Sequence, residues 1–188
     1  MTDDRRALAR TPWKTVSTRP IYANQWIRVR EDIAEMPDGY RTIYGVIEAR
    51  PAVGVLPFVD DDTVLLVGQY RYVFGRFFWE IPTGAQEVGE SELDAVGREL
   101  AEETGYVAQH VDKVCAFQSS KSVLNEIAHV YIATGLAAAS GTHRVDATEF
   151  IELRTFPFAE AVRMVERSEI EDAITVVAVL HAARRRAR

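Results

Sequence analysis

Glu99, Glu102 and Glu103 stand at i, i+3 and i+4, so any helix through them brings three carboxylates onto one face. Like charges so close repel, and a hard divalent cation held by their oxygens neutralises them. The plainer alternative is an acidic, solvated helix face. The flanking residues favour the cation. Leu93, Val96, Leu100 and Thr104 recur at helical intervals on a neighbouring face, which puts the carboxylates along the edge of a buried stripe. Gly84 and Gly105 bracket the segment, the second where a helix C-cap takes a left-handed residue.

With Glu90 and Arg98 added, the stretch from Gly84 to Tyr106 resembles the Nudix box, G-x5-E-x7-R-E-U-x-E-E-x-G-U with U bulky and aliphatic. Tyr106 departs from the last aliphatic position and is expected to pack there. Gln69-Tyr70-Arg71, the approach Phe78-Trp79-Glu80-Ile81-Pro82-Thr83 and the late run Glu169 to Thr175 look like the branch that cleaves ADP-ribose and other nucleoside diphosphate sugars.

The resemblance implies hydrolysis of a pyrophosphate bond with Mg²⁺, for which Mn²⁺ can substitute. It assigns Glu99 and Glu103, then Glu102 and the Thr83 backbone carbonyl, as metal ligands. Glu90 orients that set, and Arg98 pairs with a box glutamate; Arg98 and Glu102 count among the catalytic groups. In this branch a loop ahead of the last strand supplies a glutamate as general base. Here that loop is Gly141 to Glu149, with Asp146 and Glu149 as candidates and Ala147 at the gapless position. Glu149 is preferred, and a solvated residue at a strand start is its alternative.

Many ADP-ribose hydrolases carry Ser-Pro-Gly and then Glu after the box, whereas Ser119 to Glu126 lacks the Pro-Gly and keeps the Glu. ADP-ribose is therefore one candidate among several sugar nucleotides, GDP-mannose included. Arg71 is the expected phosphate contact, as a planar bidentate donor. Tyr70, Phe78 and Trp79 are candidates to stack a base or ribose, though two of the three read equally well as core. Glu80 and Glu126 complete the substrate set. Glu126 and Lys121 also read as exposed loop residues.

The elements that must position these groups follow from period and turn signals. Strands are expected over 26–36 and 41–50, parted by Pro37-Asp38-Gly39-Tyr40, and over 53–59 and 63–71, parted by Asp60-Asp61-Asp62. The acidic triplet reads as a turn in preference to a metal site. Further strands are expected over 111–118, 127–133 and 150–156, with helices over 158–166 and 170–185. This is an α+β pattern, and the resemblance implies the Nudix α/β/α sandwich with an N-terminal antiparallel β extension. The division expected is 1–45, a tail of about a dozen residues plus a hairpin, and 46–188, the catalytic domain. A hairpin that size needs a surface to pack on. The resemblance makes that surface a second subunit, giving a homodimer; a monomer with the hairpin folded back is the alternative.

Apolar content of 47% and charged content of 27% suit a soluble globular protein. A net charge of −6 argues against nucleic acid as a partner. The absence of an 18-residue apolar run or an apolar leader excludes a membrane span and points to the cytoplasm. The lone Cys115 reads as a buried thiol, and the C-terminal arginines as solvated cations complementing a helix dipole. Two other functions remain open: a Nudix enzyme acting on nucleoside triphosphates, and a sensor that binds a nucleotide sugar without cleaving it.

Overall fold

Asp38 and Gly39 reverse the chain between two paired strands. Gly39 takes a φ of 85°, the Asp38 Oδ1 accepts from Tyr40 N at 3.0 Å, and Met36 N donates to Tyr40 O at 2.8 Å. The hairpin so closed joins β2 (Ile27–Glu35) to β3 (Arg41–Ala49), in register from Glu35 opposite Arg41 to Ile27 opposite Ala49. The computed structural model describes residues 7–140 and 150–187. They fall into two compact units, Met1–Arg50 with Gln118–Glu126 and Pro51–Phe117 with Ile127–Arg188.

The first unit holds two strands beyond those the sequence suggests. Before the hairpin, β1 (Lys14–Ala23) pairs antiparallel with β2, and Asn24 Oδ1 turns the chain by accepting from Trp26 N at 2.8 Å and Ile27 N at 2.9 Å. Every residue of β1 is exposed, and Pro20 lies at an irregularity in its register, so although Thr, Val, Ile and Tyr recur along it, no buried face marks the strand. The two-residue β9 (Leu124–Asn125) adds to β3 in parallel.

In the second unit β4 (Ala52–Pro57) is buried on both faces. It runs parallel to β10 (Ala128–Ala138) and antiparallel to the short β7 (Thr83–Ala85), with β8 (Tyr106–Phe117) beyond β10. A second sheet sets β5 (Thr63–Arg71) between β6 (Arg76–Glu80) and β11 (Glu152–Pro157). Val53 and Val55 of β4 pack with Val96 and Leu100 of helix α1 (Glu92–Thr104). Leu56, with Val130 and Leu66, packs against helices α2 (Phe158–Glu166) and α3 (Ala173–Arg186) through Met164 and Val179. Helices thus cover both faces of a mixed β core, the α+β sandwich expected. No helix among the described residues is long and apolar enough to cross a membrane.

Several local expectations change. Leu93 is exposed and Ala95 is buried in its place, so the apolar stripe of α1 begins at Ala95 and Val96. The acidic triplet is a turn, with Asp60 Oδ1 accepting from Asp62 N at 2.9 Å. Helix α3 starts at Ala173 and not at Ile170, because Asp172 caps it. Cys115 is half-buried, its thiol pKa pushed up by desolvation. The C-terminal arginines are not simply solvated. Arg186 lies over the Phe58 and Phe158 rings and pairs with Asp62, while Arg185 donates to Lys113 O at 3.0 Å.

Candidate active site

Helix α1 is framed by its own sequence. Ser91 accepts from Asp94 N at 3.1 Å at one end, and Gly105 at φ 73° sends its N–H to Ala101 O at 2.9 Å at the other. Between these caps the apolar stripe docks on β4 and carries Glu99 and Glu103 inward with it. Both are at least nine-tenths buried, at 9% and 5% exposure, while the Glu102 side chain stays partly exposed.

The two buried carboxylates meet the strand turn that leads into β7. Glu103 Oε2 accepts from Thr83 N at 3.2 Å. A Cβ on Gly84 would overlap the Glu99 carboxylate, so only glycine lets the helix approach. Arg98 ties the remaining carboxylates together. Its Nε and one terminal nitrogen donate to the two oxygens of Glu90 at 2.9 and 3.0 Å, and the same terminal nitrogen reaches Ala85 O at 3.1 Å. The other terminal nitrogen donates to Glu99 at 2.7 Å and Glu102 at 3.1 Å. Glu90 first, and then Glu99, raise the Arg98 pKa further above its ordinary value against the opposing effect of burial. Glu90 also accepts from Glu87 N at 2.9 Å, so it joins the loop before α1 to the helix through Arg98.

Glu102 and Glu103 open onto a cleft of about 770 Å³, also lined by Gly68, Tyr70, Phe77 and Phe150. Tyr70 is 63% exposed on its wall. Trp79 is not among the lining residues; it packs edge to face against Phe77 and Phe156, each at 5.2 Å, and Phe78 is buried. Arg71 is engaged by Glu80, with Nε 3.0 and 3.1 Å from its two oxygens, and that pairing raises its pKa. Glu126 and Lys121 belong to the first unit, where Ser119 donates to Glu126 at 3.3 Å. Glu149, Asp146 and Ala147 lie outside the described residues.

Sequence reasoning missed Gly68, Phe77 and Phe150. The signal for Phe77 was present: in β6 successive side chains alternate, so with Phe78 inward Phe77 faces out. For Gly68 the reason is steric, since a Cβ there would strike the Phe77 ring.

The oxygens of Glu99, Glu102 and Glu103 are hard donors of the kind Mg²⁺ selects. No three His, Cys, Asp or Glu side chains among the described residues converge as a ready metal cage. Mg²⁺ does not need one, because it keeps several waters and takes one or two carboxylates. The donor set therefore fits the ion.

The NUDIX domain model matches residues 48–177. The chain belongs to the Nudix family. Residues 13–47 of this Nudix protein match a second model, the nucleoside diphosphate sugar hydrolase N-terminal domain. An ADP-ribose pyrophosphatase of Bacillus subtilis is 32% identical over 88% of this chain and 90% of its own length. A methanol dehydrogenase activator of Bacillus methanolicus is 31% identical over the same shares, 88% and 90%. A crystal structure of an ADP compounds hydrolase superposes with a TM-score of 0.82 at 22% identity, covering 93% of this chain and 94% of that one. That last likeness is one of fold.

Proposed function

We propose that this Nudix enzyme hydrolyses the pyrophosphate bond of a nucleoside diphosphate sugar, ADP-ribose or a close relative, to a nucleoside monophosphate and a sugar phosphate. The observation that carries the reading is the pair of buried carboxylates, Glu99 and Glu103, set against Gly84 and Thr83 at the edge of an open cleft. Arg98 donates to Glu99 at 2.7 Å and Thr83 N to Glu103, and an acidic edge held in this way offers the hard oxygen donors that suit a divalent cation.

Glu99, Glu102, Glu103 and the Thr83 carbonyl hold Mg²⁺, with Mn²⁺ able to replace it. When bound, the ion offsets the charge of the diphosphate and makes water a better nucleophile. The chain's own residues do the rest. Arg98 keeps Glu90, Glu99 and Glu102 in register. Tyr70 and Phe77 offer aromatic surface to a base or ribose along the cleft wall. Arg71, oriented by Glu80, supplies positive charge for a phosphate oxygen. Glu149 is the general base; its neighbour Phe150 lines the cleft, which supports the assignment.

Residues 1–45 serve as a dimerisation segment, a reading supported by the exposed apolar side chains of Trp13, Ile21, Tyr22 and Ile43. A lone cysteine in the chain agrees with the reducing cytoplasm.

The test is incubation with Mg²⁺ and a panel of ADP-ribose, GDP-mannose, UDP-glucose and nucleoside triphosphates, with and without chelator. Nucleoside monophosphate released from a sugar nucleotide, and lost on chelation, is the expected result. Cleavage of triphosphates alone, or binding without cleavage, rejects the reading.

A further inference from the structure

The late run Glu169 to Thr175 leads into α3, and one of its side chains reaches the link between β6 and β7, two residues ahead of Thr83. Thr175 is fully buried. Its Oγ1 accepts from Ile81 N at 2.9 Å and donates to Asp172 Oδ2 at 2.7 Å. A hydroxyl has one hydrogen, and with that given to a carboxylate, only lone pairs are left to face Ile81. The Ile81 N–H can only donate, so the hydroxyl meets it with a lone pair, and Asp172 takes the hydrogen and holds the side chain in that orientation. The same Oδ2 also accepts from Thr175 N at 2.8 Å, so the helix cap and the hydroxyl share one anchor.

The residues that follow Ile81 are held from other sides. Pro82 O accepts from Val55 N at 3.0 Å, and Thr83 N donates to Glu103 Oε2 at 3.2 Å. Three consecutive residues are thus pinned by three elements, α3, β4 and α1. Asp172 and Glu103 also lie within electrostatic reach of Arg71, so the cap of α3 shares a charge network with the cleft.

We propose that Thr175, held by Asp172, is a positioning residue for the divalent-cation site: it fixes the Ile81 amide, and with it where Thr83 and Gly84 stand against Glu103 and Glu99. The inference rests on the metal-dependent reading given above. It couples a side chain near the far end of the sequence to a helix that ends at Thr104.

The test uses the full chain and Mn²⁺ alone, titrated by calorimetry without substrate. Thr175→Val keeps the shape and loses the hydroxyl. Expected are Mn²⁺ binding weaker by about 10-fold, kcat lower by a similar factor with KM little moved, and recovery of both in Thr175→Ser. A Thr175 that only stabilises the fold lowers Tm in the valine variant and leaves Mn²⁺ affinity at the wild-type value, which overturns the proposal. Should Thr175→Val fail to fold, Asp172→Ala at the partly exposed cap decides: Mn²⁺ binding weakened severalfold supports the relay, and unchanged binding overturns it. Because the Mn²⁺ titration needs no substrate, it settles the role of Thr175 whether or not the wild type cleaves a nucleotide sugar.

Discussion

The Glu99 carboxylate fills the space that a Cβ on Gly84 would take. A methyl group there has to displace the carboxylate, and displacing it breaks the 2.7 Å bond from Arg98. Gly84→Ala is expected to abolish turnover and to cost about 1–3 kcal/mol of stability, as overpacking does. Activity assays with thermal melts check this; wild-type kcat in the variant contradicts the steric account.

Glu103→Gln should separate chemistry from folding. The glutamine amide oxygen still accepts from Thr83 N, so the fold stays, while the charge offered to a cation is gone. Turnover should fall more than about 100-fold, beyond the loss usual for a residue that only supports a metal ligand. An unaltered melt beside retained activity would remove Glu103 from the ligand set.

Glu149→Ala is expected to slow the chemical step and leave Mn²⁺ affinity intact, because a base is needed only for proton transfer. Single-turnover rates across pH read this directly. An unchanged rate transfers the role to Asp146, Glu126 or water alone.

Tyr70→Ala removes an exposed ring from the cleft wall and no core packing. KM should rise about threefold to tenfold with kcat nearly constant, as loss of one stacking contact implies. A fall in kcat at constant KM would place Tyr70 away from the bound base or ribose.

A pH dependence follows from the far end of α1. Burial lowers the His129 pKa, with the neighbouring Lys113 acting the same way and Glu92 opposing it. The unfolded chain therefore takes up this proton more readily than the folded one. The contribution is fully present above about pH 6.5 and is lost as pH falls through the lowered folded value. Urea midpoints from about pH 7.5 down to 5 should decline less steeply in His129→Gln than in the wild type. Parallel slopes would show that His129 is not the group titrating.

Much of this was legible from local pattern. The β2–β3 hairpin announces itself in Asp38-Gly39, and α1 in its apolar stripe and Gly105. What escaped depends on tertiary context. β1 has no buried residue to impose a period, so its ladder with β2 alone makes it a strand. Leu93 has the right spacing for the stripe, but in that first turn it is Glu92 that meets the sheet, at Lys113 and Tyr131, and Leu93 is left exposed. Trp79 is as good a stacking residue as Tyr70 by type, and only the packing of Phe77 and Phe156 around it separates the two. Arg186 carries a charge that suggests solvent, yet its guanidinium covers two phenyl rings.

The fit of Glu99 over Gly84 and of Glu103 against Thr83 makes α1 a ruler read in single residues. One extra residue between Glu99 and Glu103 would swing whatever follows it by roughly 100° and carry Glu103 away from its partner. Val88, at the tip before the helix, is 96% exposed, yet the turn there is closed by Glu87 and Glu90, which bond to each other at 2.9 and 3.1 Å. Added length in this enzyme belongs outside the stretch from Gly84 to Gly105, in which single-residue spacing sets each carboxylate against its partner.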